Sequence, residues 1–222
     1  REGSSRLPGK VLLPFYEDLT MIECMIMRLK QCKRIDKLIV AIPWKNYKLE
    51  RILVNCGATF LMGPEKDVLT RFQFIARRCQ SEYIVRLTAD CPLHDPNLID
   101  QAIELMRFNM AGAVTNIIKR TYPDGFDVEV FRTSVLQELD KLSTEPLERE
   151  HVTPRLPEAT KHIVHMIEHY DYGSDLSCTV DTAEDFRRCK AIFDKLWTKN
   201  PYFTMEDVIC ELLRPPLFTL EP

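Results

Sequence analysis

No C-x-x-C pair occurs in this sequence, and its eight cysteines, at positions 24, 32, 56, 79, 91, 178, 189 and 210, show no metal-like clustering. That argues against a zinc or disulfide framework. Several of these thiols fall within apolar helical patterns, as buried free cysteines do in a reducing cytoplasm. No apolar run approaches the length that spans a bilayer, and no charged-then-apolar leader is present. The expectation is therefore a cytoplasmic protein with no membrane partner. Cations are not in excess either: the formal charge is −3, which removes any broad electrostatic reason to coat nucleic acid. Internal repeats and low-complexity segments are missing too. What remains is globular material, 222 residues with 45% hydrophobic and 28% charged side chains, enough for a single domain over 1–222 with a substantial core.

Hydrophobic periodicity supplies the architecture. Ile22, Met25, Ile26 and Leu29 recur at helical spacing, and 37–42 reads as a buried strand. Helices over 47–56 and 68–79 alternate with strands over 58–62, 83–87 and 112–117. Pro96 opens a further helix whose apolar face is Leu98, Ile99, Ala102, Ile103 and Met106. Alternation at this spacing predicts an α/β sandwich with a largely parallel sheet. The second half changes character. Val128 and Val130 alternate with Asp127, Glu129 and Phe131, the period of a strand with one polar face. A strand is predicted over 161–170 and a helix over 181–196, entered through Thr182 or Asp181 as cap. A last helix over 205–213 stops at Pro215-Pro216.

The chemistry begins at the first ten residues, Arg1-Glu2-Gly3-Ser4-Ser5-Arg6-Leu7-Pro8-Gly9-Lys10. They are too irregular for helix or strand, and such a loop can aim backbone N–H groups and cations at one anion. A solvated basic arm has the same composition. The Walker pattern is not met, because Ser4 replaces its first glycine and Val11 follows Lys10. Asp90 follows a predicted strand and should project from its carboxyl end, where open α/β sheets bind ligands. Asp181 follows Cys178-Thr179-Val180 in the same way. Singly, the first reads as a turn residue and the second as a helix cap. Together, near a phosphate loop, they suit Mg²⁺, which takes few carboxylates and several phosphate or water oxygens.

The opening loop resembles the A-R-x-G-S-x-R-L-P-G-K signature of the sugar-activating cytidylyltransferases, the CMP-KDO synthetase and acylneuraminate cytidylyltransferase superfamily, and most of all its spore-coat polysaccharide branch. The likeness continues through Val85-Arg86-Leu87-Thr88-Ala89-Asp90-Cys91-Pro92, then the block from Thr121 to Phe131, Glu148-Arg149-Glu150-His151-Val152-Thr153-Pro154, and the block from Thr179 to Phe186. It implies a nucleotide-diphospho-sugar transferase fold, a Rossmann-like α/β/α sandwich on a mostly parallel mixed sheet. Residues 120–175 would form the sugar-binding and dimerisation part. The family's signature follows a central first strand, whereas this sequence starts at the signature's first arginine, so that strand is expected upstream of it.

The implied activity is Mg²⁺-dependent transfer from CTP to a sugar acid or related sugar, giving a CMP-sugar and pyrophosphate, by an enzyme that is often a homodimer. Arg6, Lys10, Asp90 and Asp181 carry the implied catalysis, with Asp90 and Asp181 on the metal. Arg1, Gly3, Ser4, Ser5, Arg6, Lys10, Arg71, Thr88 and Asp90 meet the nucleotide. Asp124, Asp127, Glu129, Arg149 and His151 meet the sugar. Blander readings stand beside these: a surface salt bridge for Arg71, a turn at Asp124-Gly125, a solvated outer face for Asp127 and Glu129, and a charged helix start over 148–151. His94, His162, His165 and His169 receive no role. Four positions depart from the branch: Ala89 for glycine, Thr70 for aspartate and Ser177-Cys178 for Arg-Trp. The rivals are a glycosyltransferase of similar fold, whose D-x-D motif Asp90-Cys91-Pro92 lacks, and a catalytically silent nucleotide-binding domain of a longer protein.

Overall fold

The computed structural model describes residues 6–173 and 175–214. The expectations for Arg1, Gly3, Ser4, Ser5, the upstream strand and Pro215-Pro216 fall outside these residues. A 3₁₀ turn, Lys10–Leu12, leads into an antiparallel ribbon of β1 (Pro14–Tyr16) and β2 (Leu19–Thr20), and α1 (Met21–Leu29) follows. Thr20 and Glu23 form a capping box at its start, the backbone N–H of Thr20 donating to Glu23 at 2.8 Å. Then come β3 (Val40–Pro43), α2 (Tyr47–Asn55), β4 (Phe60–Gly63), α3 (Val68–Cys79), β5 (Tyr83–Arg86), α4 (Pro96–Phe108) and β6 (Ala113–Thr115). The alternation expected from periodicity is present. Asp67 caps α3 and Asp95 caps α4, whose first residue is the expected proline.

The second half holds β7 (Glu129–Arg132), α5 (Thr133–Leu142), α6 (Pro146–His151), α7 (Leu156–Ala159), β8 (Ile163–His165), α8 (Ala183–Lys199) and α9 (Met205–Leu212). β3 and β4 pair in parallel, and a separate four-stranded sheet has the order β5-β7-β6-β8. Within that sheet β7 runs antiparallel to both neighbours while β6 and β8 are parallel, so one strand is reversed in an otherwise parallel set. The mixed α/β sheet fold is as expected.

Several strand expectations contract, 37–42 to Val40–Pro43 and 112–117 to Ala113–Thr115 among them. The segment 161–170 is a strand only over Ile163–His165: Met166 still donates to Thr115, but the N–H of Glu168 turns to the Thr121 hydroxyl at 2.7 Å. Residues 178–180 form no strand. Their N–H groups instead reach the loops they join, Cys178 to the Asp124 carbonyl at 2.8 Å and Val180 to that of Asp90 at 2.7 Å.

The larger core joins α1, α4, α8 and α9 with the ribbon and sheet, and a smaller one packs α3, α5 and α7 against Phe131. Arg28 of α1 is fully buried beneath the larger core. Its guanidinium lies 3.5 Å from the centre of the Phe203 ring and donates to the carbonyls of His94, Pro201 and Phe203 at 2.8–3.3 Å.

Candidate active site

Gly9 sits at φ 68°, a left-handed turn that glycine enters freely, and this reversal sends the Lys10 side chain inward. Lys10 is only 6% exposed, so it is not part of a solvated arm. Its ammonium donates to the Val180 carbonyl and lies 3.4 Å from Asp90 and 3.3 Å from Asp181. The two carboxylates, ninety-one residues apart in sequence, therefore meet on one cation. What brings them there is the Val180-to-Asp90 backbone bond, which ties the segment before α8 to the loop after β5.

Asp181 is not the cap of α8. Thr182 fills that place, accepting from the Asp185 N–H while Asp185 accepts from the Thr182 N–H at 2.9 Å. The Asp181 carboxylate is left for Lys10 and for the exposed Arg6, which donates to it at 2.8 Å. Burial would raise the Asp90 pKa, but the Lys10 charge and hydrogen bonds from Thr88, its own backbone and Lys10 reverse this and hold it below the ordinary value. Asp90 stays ionised. Ala89 lies outside the left-handed region, so its methyl adds no backbone strain.

Beside this cluster opens a cleft of about 430 Å³, the size of a small-molecule site, lined by Arg86, Thr88, Asp90, Asp124, Asp127, Glu129, His151, Thr153 and Thr179 with an apolar margin of Ile117, Ile118, Pro154 and Pro157. Four of the five residues expected to meet the sugar, Asp124, Asp127, Glu129 and His151, are thus on one surface with Asp90. Asp127 precedes β7 rather than lying in it and pairs through both oxygens with Arg120 at 2.7 and 3.0 Å. Glu129 is buried, accepting from Arg86 at 2.6 Å and Thr153 at 2.8 Å. Burial outweighs both partners and pushes its pKa up. Gly125 has φ 105°, and a Cβ there would stand 2.6 Å from the Cys178 sulfur, so the turn after Asp124 can pack this closely on Cys178 only with glycine.

The fifth residue goes elsewhere. Arg149 turns away from the cleft to pair with Asp67 at 2.8 Å and Asp140 at 2.9 Å, with Thr70 accepting a third bond. It clamps α6 to α3 and α5, and Thr70 takes part in that clamp. Arg71 is buried and donates to the Ala41 carbonyl at 2.9 Å, tying α3 to β3, and it does not line the cleft. Sequence reasoning missed the two arginines that hold the cleft carboxylates, Arg86 and Arg120, and also Thr153, although Arg86 and Thr153 lie inside the matched blocks. It missed Val152 as well. This buried residue has φ 71° and ψ −52°, the strained hand of a γ-turn closed by the Thr153 N–H on the His151 carbonyl. Such strain costs about 1–3 kcal/mol, and here it puts His151 and Thr153 on the cleft while Val152 fills the smaller core.

Residues 1–207 match the family described as cytidylyltransferase. The spore coat polysaccharide biosynthesis protein SpsF of Bacillus subtilis is 29% identical over 226 residues, covering 97% of this chain and 92% of that protein. A cytidylyltransferase structure from Leptospira borgpetersenii superposes with a TM-score of 0.87 at 30% identity, over 98% of this chain and 95% of the other. CMP:2-keto-3-deoxy-manno-octonic acid synthetase complexed with CTP superposes at 0.68 with 18% identity, over 88% and 95%, a likeness of fold alone.

Proposed function

Because the chain belongs to the cytidylyltransferase family, we propose that it moves the cytidylyl group of CTP onto a sugar, giving a CMP-sugar and pyrophosphate for polysaccharide or glycoconjugate assembly. The observation that carries this is the placement of Lys10 between Asp90 and Asp181 at the rim of the cleft. The sugar hydroxyl oxygen bonds to the α-phosphorus, the bond from that phosphorus to the bridging oxygen breaks, and pyrophosphate departs with the electron pair. The hydroxyl proton passes to solvent. Arg6 and Lys10 would face the charge that gathers on phosphoryl and leaving-group oxygens, where preorganised cations have most effect. Thr88 steadies Asp90 by a hydrogen bond.

Asp90 and Asp181 would hold Mg²⁺. Two half-exposed carboxylates sharing one cation are the hard oxygen donors this ion prefers, with phosphates and water completing its shell. When bound, it supplies charge neutralisation on the phosphates. Asp124, Asp127, Glu129 and His151 are assigned to the sugar, with Arg149 positioning His151 through α6. Arg1, Gly3, Ser4, Ser5 and Arg71 remain assigned to the nucleotide side.

A homodimer through residues 120–175 is consistent with the exposed Leu147, Ile167 and Tyr170 in that segment. A cytoplasmic setting accords with eight free thiols, and no helix among the described residues is long and apolar enough to cross a membrane. Pyrophosphate release from CTP, UTP, GTP and ATP, with and without Mg²⁺ and with a panel of sugars, tests the reading. Metal-dependent release from CTP is expected. Release from none of the four overturns it, and consumption of a nucleotide-sugar without pyrophosphate would replace it with glycosyl transfer.

A further inference from the structure

The cleft has a charge pattern that bears on its substrate, given the reading above on which this inference rests. Four carboxylates line it, Asp90, Asp124, Asp127 and Glu129, against Arg86 and His151, and Asp90 is held by Lys10. Arg86 is engaged by Glu129, and Arg120 behind the wall is engaged by both oxygens of Asp127. Asp124 is the least committed of the four: its side chain is 46% exposed, and Arg120, held more tightly by Asp127, reaches it only at 3.5 Å. The second oxygen of Glu129 likewise has no donor among the described residues. A ligand here meets acceptors seeking donors, and a substrate carboxylate would meet like charge with no uncommitted lysine or arginine among the described residues of the lining.

We propose that the sugar taken by this cleft carries no carboxylate and presents hydroxyl or amine donors to Asp124 and Glu129. Asp124, the acceptor without a cation of its own, discriminates against acidic sugars. An ammonium would meet it as a charge-assisted hydrogen bond and a hydroxyl as an ordinary one. The margin of Ile117, Ile118, Pro154 and Pro157 offers the C–H face of a pyranose an apolar surface.

The test uses the whole chain with Mg²⁺ and CTP, and compares D-mannosamine, D-mannose and 2-keto-3-deoxy-manno-octonic acid by pyrophosphate release and by calorimetric binding. Turnover or binding of mannosamine or mannose at least about tenfold better than of the acid is expected, the two arms telling amine from hydroxyl recognition. Asp124→Asn should raise KM for the preferred sugar about tenfold and leave KM for CTP unchanged. Preference for the acid, or a D124N variant with unaltered sugar KM, overturns this inference while leaving CTP-dependent transfer intact. Silence with every sugar in both measurements overturns the inference and the transferase reading together.

Discussion

Arg28 and Lys10 are both buried cations, and the difference between their surroundings separates fold from site. Arg28 is enclosed by neutral carbonyls and the Phe203 face, and burial pushes its pKa down to about 10. Its donors are matched to fixed backbone acceptors, and nothing there calls for a further group. Lys10 faces two carboxylates that are both open to solvent at one side, 34% and 38% exposed. Arg6, the other cation on Asp181, is 65% exposed, so both cations and both carboxylates stay within reach of a charged ligand and a metal. A cation closed off by carbonyls knits the chain together, and one sharing carboxylates at a cleft rim is placed to act on a ligand.

Substitutions at the two positions should part along that line. Lys10→Met should have the largest effect, lowering kcat about 10²–10³-fold, the range for losing one preorganised group facing transition-state charge. It should also lower stability somewhat, because Lys10 is buried and its loss leaves Asp90 and Asp181 repelling each other. Kinetics and urea unfolding on the same sample measure both. A Lys10→Met enzyme with normal kcat would erase the contrast.

Asp181→Asn comes next, with turnover falling about a hundredfold, since a bound divalent ion contributes several kcal/mol. Unfolding should barely change, because Thr182 and Asp185 cap α8 without it. Full activity in this variant would remove Asp181 from the proposed metal site.

Arg28→Met is the converse. It strands the carbonyls of His94, Pro201 and Phe203 and should cost about 3 kcal/mol in unfolding free energy, with kcat per folded molecule unchanged. Loss of kcat greater than loss of folded protein would make Arg28 part of the site after all.

The smallest effect is expected at Asp67→Asn, which keeps the cap of α3 and removes only the charge facing Arg149. Burial raises the Asp67 pKa, but Arg149 and Thr70 more than reverse this, so it lies below the ordinary value. The native state then binds fewer protons than the unfolded chain. The resulting advantage of the parent protein, about 1 kcal/mol or less for a partly exposed pair, is full above the unfolded pKa near 3.9. It should disappear as pH falls through the lower native value. Denaturant midpoints of both proteins between pH 7 and pH 3 give the measurement, and a gap constant with pH would deny the ion pair its role.

Several helices were legible because their signals are local. The apolar stripe of α1, the proline opening α4 and the Thr182 entry to α8 all lie within a turn or two of the residues they organise. Helix α5 carries a similar stripe, Val135, Leu136 and Leu139, yet stands outside the expectations although its signal is readable. The limits of β8 were not legible, because a strand ends where its partner stops supplying acceptors, and that partner, β6, is some fifty residues away.

By itself the sequence determined the alternating α/β order, the matched blocks and the residue types that phosphate, metal and sugar chemistry need, since periodicity and motif are properties of neighbours along the chain. Only the tertiary structure decided which charges face one another. It sank Lys10 between two aspartates, joined Arg120 to Asp127 and Arg86 to Glu129, turned Arg149 away to Asp67, and left Asp124 without a cation of its own. A charge acts over ångströms, and the chain brings distant residues within that range only after strands and loops have paired.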